Sequence, residues 1–313
     1  MQQKIAVVTG PTATGKTRLG IILAQCLNGE IVSGDSMQIY RGMDIGTAKP
    51  TPRELSQARH HLIDAADPSE EWSVSRYVEA ADAAVQDILA RGRLPIIVGG
   101  TGLYIDALVR GTPFGERSEA DNICRAELES RYDEIGGEAM LTELSQVDPE
   151  RAARLYPADK KRIVRAMEVF LLTGRTITEH DRETSLVPPR YDAAYIILDF
   201  ADRARLYERI DARVDEMVAA GLFEEVERVF AGGVSSTARQ AIGYKEAAAA
   251  LAGELTRSEA VDAIKRESRR YAKRQLTWLR KRPGALWIRW DAEPDFGRAA
   301  RDSTAFLAAH GII

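Results

Sequence analysis

Residues Gly10-Pro11-Thr12-Ala13-Thr14-Gly15-Lys16-Thr17 match the pattern G-x-x-x-x-G-K-[ST]. The octet ends a short apolar run and opens a helical pattern, GKTRLGIILAQCL. In that setting the glycines let backbone N–H groups wrap phosphate oxygens, and the helix N-terminus adds positive potential. Lys16 supplies a point charge and Thr17 a hydroxyl ligand for Mg²⁺. The loop reads a polyphosphate without saying which one. A nucleoside triphosphate and an organic pyrophosphate offer it the same oxygens.

Two further turns carry chemistry-bearing residues. Asp35-Ser36-Met37-Gln38-Ile39-Tyr40 follows a second short strand, EIVSGDS. A carboxylate beside a phosphate site can take a proton from a nucleophile or help hold Mg²⁺ through water. It can equally close an Asx-turn. Gly99-Gly100-Thr101-Gly102-Leu103-Tyr104 ends a third strand, LPIIVGG. ATP-hydrolysing phosphate-loop proteins usually place a metal-binding Asp there. Its absence weakens the ATPase and kinase readings. The glycine pair permits close backbone approach to a ligand, and Thr101 offers a hydroxyl or a plain helix cap. Asp199 ends a later strand, where it is expected to cap the helix that follows.

Arg209 and Arg213 share a helix face, as do Asp211 and Asp215, and spacing alone reads as a salt-bridged surface. Between Lys265 and Arg282 there are nine Lys or Arg and one acid, Glu267. Arg266, Arg270, Lys273 and Arg274 cluster at helical spacing, with Tyr271 and Trp278 interleaved. Phosphate-tracking charge with stacking aromatics is a nucleic-acid signature. The bland alternative is a solvated face with the aromatics in the core. Lys160, Lys161, Arg162 and Arg165 form a smaller basic cluster. Gly243-Tyr244-Lys245 begins a helix and is weak by itself.

These residues need a frame to position them. Apolar strands alternating with helices over 4–100 imply a parallel α/β sheet covered on both faces, with ligands at the carboxyl ends of its strands. One helix is expected to bury a stripe of Val74, Tyr77, Val78, Ala81, Val85, Ile88 and Leu89. From about 116 to 189 charge-rich helical segments dominate, and residues 193–200 resume the strand pattern. The expected division is therefore a core, 1–115 with 190–313, and an inserted all-helical domain, 116–189.

The bulk composition fits this picture. The chain has 313 residues, 45% hydrophobic and 29% charged, with a net charge of −4. That balance suits a soluble globular protein and, taken alone, argues against a general nucleic-acid binder. No apolar run reaches the roughly 18 residues of a membrane span, and the first apolar run is too short for a signal-peptide core. Two cysteines, Cys26 and Cys124, lack metal-ligand spacing. The expectation is a cytoplasmic, reduced, monomeric protein with Cys26 in the core. His60-His61, His180 and His310 show no ligand pattern.

Taken together, GPTATGKT at 10–17, DSMQIYRGMDIGTAKP at 35–50, GGTGLY at 99–104, QAIGYKE at 240–246 and RRYAKRQLTWLR at 269–280 resemble the bacterial tRNA dimethylallyltransferase (IPP transferase) family. The resemblance spans nearly the whole chain in order. It implies a phosphate-loop core and transfer of a dimethylallyl group from dimethylallyl diphosphate. The acceptor would be the exocyclic amine of the adenosine 3′ to a tRNA anticodon, with Mg²⁺ as cofactor. It makes Asp35 and Thr101 catalytic. It gives the diphosphate to residues 10–17 with Arg213, which spacing alone did not favour. It assigns the anticodon stem-loop to Asp35, Ser36, Met37, Gln38, Thr101, Arg125, Lys160, Lys161, Arg162, Gly243, Tyr244, Lys245, Arg270, Lys273 and Arg274. Two other classes remain open. One is a phosphotransferase or prenyltransferase acting on small molecules. The other is a non-catalytic RNA-binding protein.

Overall fold

The computed structural model describes residues 2–111 and 119–313. The chain forms two compact units, residues 1–111 with 190–313, and residues 112–189. The division expected between 115 and 116 lies outside the described residues. Gly111, at a φ of +65°, lies against Arg190: a Cβ added to the glycine would sit 2.8 Å from that of the arginine. Within the first unit, the two residues that flank the second in the chain thus lie together, which is how an insertion is tolerated.

In the first unit, six described strands form one parallel sheet: β1 (Gln3–Thr9), β2 (Gly29–Ser33), β3 (His60–His61), β4 (Leu94–Gly99), β5 (Tyr191–Phe200) and β6 (Leu286–Trp290). Their order across the sheet is β3-β2-β4-β1-β5-β6. Alternate residues of β1 feed different cores. Ile5 and Val7 join one apolar cluster with Tyr77, Val85 and Tyr104, while Ala6 and Val8 join another with Leu19, Leu23 and Ile196. Such two-sided burial is what makes parallel strands read as continuous apolar runs. The helix Val74–Ala90 buries Tyr77, Val78, Ala81, Val85 and Ile88 of the expected stripe, and Val74 and Leu89 pack at its margin.

The second unit is helical in its described part and has its own core, including Leu128, Met140, Leu144, Ile163 and Val164. Three details differ from expectation. Cys26 is exposed, because it falls on the outer face of its helix. Asp199 accepts from its neighbour Phe200 N, and Asp202 caps the next helix instead, accepting from Ala204 N at 2.8 Å. His60 and His61 form the short edge strand β3, which two residues could not announce.

Candidate active site

Because every strand pair is parallel, the turns after β1, β2, β4 and β5 meet at one end of the sheet. The phosphate-binding loop follows β1. Gly15 has a φ of +89°, and a Cβ there would meet the Phe296 ring at 2.6 Å, so the loop requires glycine at that point. Local and long-range bonds fix its shape. Thr14 Oγ1 and Lys16 Nζ both donate to Pro11 O, at 2.8 and 2.7 Å. Trp290 Nε1 donates to Thr14 O at 3.0 Å, and Arg209 Nε reaches Ala13 O at 3.4 Å. Thr17 lies half-buried in the first turn of the helix Lys16–Cys26.

The loop is electrostatically poised for an anion. Burial, then the nearby Arg213 guanidinium, lowers the Lys16 pKa to about 7, while the Asp35 charge opposes the shift. Arg213, on the helix Arg203–Ala219, is likewise lowered by burial and supported by Asp35. Neither cation has an ion-pair partner within 4 Å among the described residues. Two buried cations held close, with Asp35 near but not ion-paired to either, favour a ligand that brings negative charge.

The turns after β2 and β4 are stitched together. Asp35 Oδ1 accepts from Met37 N at 2.9 Å and Gln38 N at 3.4 Å, so this residue does close an Asx-turn. Thr101 precedes the helix Gly102–Arg110 without capping it. Its hydroxyl instead accepts from Ser36 N at 3.0 Å and faces Ser36 Oγ at 3.3 Å. Thr101 N donates to Gly34 O at 3.1 Å. A Cβ on Gly99 would lie 2.2 Å from the Gly34 backbone, so the two turns touch only because residue 99 is glycine. Burial, helped by the Asp35 charge, raises the phenol pKa values of Tyr77, Tyr104 and Tyr271, the last to about 12. Asp35 sits within electrostatic reach of Lys16 in the phosphate loop, and Thr101 is bonded to the Asp35 turn.

Several motif residues act as scaffold. Gln38 Nε2 donates to Thr47 O and Ala48 O, each at 3.2 Å. Tyr244 is fully buried, and its hydroxyl donates to Glu225, which corrects the expectation that its side chain meets RNA. Glu225, only 2% exposed, also accepts from Asp44 N, Ile45 N and Gly46 N at 2.9–3.1 Å. Together they hold the loop that continues from Asp35. Gly243 N donates to Glu246, and Lys245 pairs with the same carboxylate at 3.5 Å.

Basic residues divide by partner. On the helix Arg257–Leu279, Arg269 Nη1 donates to Asp211 Oδ2 at 2.6 Å and Lys265 pairs with Asp215 at 2.6 Å. The pairs of Asp211 and Asp215 thus reach across to another helix rather than along their own. Arg282 is held by Asp106, and Arg270 shares Glu267 at 2.7 Å. Lys273, Arg274, Arg280 and Lys281 are exposed, and no acid lies within 4 Å of them among the described residues. Tyr271 and Trp278 turn inward: Tyr271 toward Gly100 O, Trp278 Nε1 to Asp106 at 2.7 Å. In the helical unit the smaller cluster is largely neutralised. Lys160 pairs with Asp133, Arg162 with Asp159, Arg165 with Glu168 and Arg125 with Glu129. Lys161 alone of that cluster has no acidic partner among the described residues. No group of three His, Cys, Asp or Glu able to hold a metal occurs among the described residues. No described helix is long and apolar enough to cross a membrane.

Sequence reasoning missed Glu225, Gln275 and Trp290. Gln275 lies inside RRYAKRQLTWLR but is masked by the charges around it, the other two lie in no quoted motif, and each acts on a loop far away in the chain.

The fold is that of a phosphate-loop α/β protein, and a Gly-Gly-Thr turn ends β4 where ATP-hydrolysing members usually carry a metal-binding acid. The chain belongs to the IPP transferase family, whose model matches residues 38–282. The phosphate loop and Asp35 precede that span, but full-length relatives cover them. The tRNA dimethylallyltransferase of Halalkalibacterium halodurans is 44% identical over 309 residues, 98% of each chain. That of Geobacillus thermodenitrificans is 48% identical, over 92% of this chain and 91% of its own. The solved tRNA isopentenylpyrophosphate transferase of Bacillus halodurans superposes with a TM-score of 0.73 at 42% identity, covering 98% of this chain and 96% of its own. A eukaryotic dimethylallyltransferase solved acting on tRNA gives a TM-score of 0.79 at 28% identity, over 98% of this chain and 80% of its own.

Proposed function

We propose that this chain is a tRNA dimethylallyltransferase. It moves the dimethylallyl group of dimethylallyl diphosphate to the exocyclic N6 amine of the adenosine just 3′ of the anticodon. The observation that carries this reading is the joining of Asp35 and Thr101, through Ser36 N, beside a phosphate loop with no metal-binding acid at the end of β4.

The N6 lone pair forms a bond to the first prenyl carbon. The carbon–oxygen bond to diphosphate breaks, and its electrons leave on the diphosphate. The N6 proton passes to the Asp35 carboxylate, whose Oδ1 is already fixed by the turn amides. The loop amides, Lys16 and Arg213 stabilise the charge that develops on the leaving group, commonly the largest share of such catalysis. Thr101 positions the acceptor end of the site. A Mg²⁺ ion would be held by the Thr17 hydroxyl and by diphosphate and water oxygens, which suits a metal that retains much of its hydration; it would add a further positive charge to the leaving group.

An adenine reaches such a site only out of its stack. Single-stranded loops present splayed bases readily, so an anticodon stem-loop suits the site. The exposed row of Lys273, Arg274, Arg280 and Lys281 would follow its phosphates. Gly243, Lys245, Lys161 and the re-paired Arg125, Lys160 and Arg162 are further proposed contacts.

The test offers the protein dimethylallyl diphosphate, Mg²⁺ and an anticodon stem-loop RNA, and follows RNA mass. Gain of one five-carbon unit on the predicted adenosine is expected. Phosphate release from ATP with unmodified RNA would mark a phosphotransferase. RNA binding without transfer would mark a binding protein.

A further inference from the structure

Gln275 lies on the helix Arg257–Leu279, between the exposed cations and the catalytic end of the sheet, and is 6% exposed. Its amide is used at both ends. Oε1 accepts from Thr12 N, inside the phosphate loop, at 3.1 Å. Nε2 donates to Gly100 O, one residue before Thr101, at 2.9 Å. The fit is tight: a Cβ on Gly100 would lie 2.2 Å from Nε2. Tyr271, one turn earlier, turns its hydroxyl toward the same Gly100 carbonyl at 3.4 Å. Trp278, one turn later, packs over Gly102, where a Cβ would meet its ring at 2.5 Å. Positions 271, 275 and 278 thus form the inward face of the helix, while Arg270, Lys273 and Arg274 lie on its outward face.

The other side-chain bonds that shape the phosphate loop come from within it, from Trp290 or from Arg209. Gln275 is distinct in spanning two catalytic turns with one amide. It sets the separation between the loop that would hold the diphosphate and the turn that carries Thr101, whose hydroxyl is bonded to the Asp35 turn. Reaction between two bound partners depends steeply on that separation, and a misplacement of about 1 Å can cost roughly 10²-fold.

We infer that Gln275 is a positioning residue for transfer: its side-chain amide holds the donor loop and the acceptor turn in register. The inference rests on the function proposed above. It makes Gln275 matter to turnover more than to the affinity of either substrate, because neither substrate need touch it.

Two variants test it. Gln275→Met keeps the length and removes both hydrogen bonds. Its kcat should fall roughly 10- to 100-fold, with KM for donor and RNA within about threefold of the wild type. Gln275→Glu keeps an acceptor for Thr12 N, but when ionised it cannot donate to Gly100 O. Protonated, the introduced carboxyl regains that donor. The ratio of its kcat to that of the wild type should therefore rise as pH falls. This second readout holds even if the methionine variant folds poorly. Wild-type turnover in Gln275→Met, or a pH-independent ratio for Gln275→Glu, overturns the role of Gln275. A wild-type protein that transfers no prenyl group overturns the functional reading instead.

Discussion

The two ends of the sheet treat their charges in opposite ways. At the amino end, Glu30 of β2 is 1% exposed and surrounded by bases. Arg91 grips it with both guanidinium nitrogens, one at 2.8 Å; His61 Nε2 donates at 2.7 Å, and Arg93 and Arg59 stand at 3.3 and 3.7 Å. The Arg91 hydrogen bonds, with help from His61, hold the Glu30 carboxyl down at about 2. At the carboxyl end, Lys16, Arg213 and Asp35 have no ion-pair partner within 4 Å among the described residues. A saturated cluster stabilises the fold. Charges left without ion-pair partners favour a ligand that brings the opposite charge.

Breaking the carboxyl end at its proposed base should have the largest effect. Asp35→Asn keeps the turn but loses the charge, and kcat is expected to fall by about 10²–10⁴ with substrate affinities little changed. An unaltered rate would reduce Asp35 to its Asx-turn. Lys16→Ala should slow transfer by roughly 10²-fold through loss of one clamp on the leaving group. Lys16 also sharpens the contrast through pH. Below about 7 its ammonium is charged in the unliganded protein, and above that an arriving diphosphate must recruit a proton. Diphosphate affinity should fall as pH rises through about 7, and calorimetry on Lys16→Ala should find that component gone.

Charges on the outward face of the basic helix should come next. Replacing Arg270, Lys273 and Arg274 with Ala should weaken stem-loop binding alike for cognate and non-cognate RNA. The slope of log K against log salt should flatten by roughly 1.4–1.8 units, at about 0.7–0.9 for each of two contacts, since Arg270 is already paired with Glu267. An unchanged slope would show that these cations are merely solvated.

The amino end should show the smallest effect on turnover and a clear one on stability. Glu30→Gln should cost about 2–4 kcal/mol, reduced from the fully buried case because the arginines are partly exposed. Since the folded pKa lies near 2 and the ordinary value at 4.5, this contribution is complete above about 4.5 and is lost as pH falls toward 2. Acid unfolding of the variant should therefore be less steep over that window. A loss of kcat in Glu30→Gln would break the comparison.

The motifs were readable because their chemistry is local. Gly15, Lys16 and Thr17 act within a few residues of one another, and strand–loop–helix order can be seen in the apolar pattern. The stripe on Val74–Ala90 was readable for the same reason. Charge counts were not sufficient. Both basic clusters look available in the sequence, yet Asp133, Asp159 and Glu168 take up three of the cations in the second, while the first keeps four without an acid. The bland reading of Thr101 as a helix cap failed because Ser36 N, 65 residues away, uses its oxygen.

By itself the sequence determined that a phosphate-loop motif links a strand to a helix, that a parallel α/β sheet presents it, and that a carboxylate turn and a glycine-threonine turn end neighbouring strands. Those follow from backbone conformation and side-chain periodicity over short stretches. Tertiary structure alone decided which side chains hold these turns in register. Glu225 lies 181 residues from Asp44, Gln275 lies 263 from Thr12, and Trp290 lies 276 from Thr14. A hydrogen bond between residues so distant leaves no periodic trace in either segment. Its energy depends on a few tenths of an ångström, and only the packed sheet and helices bring the partners that close.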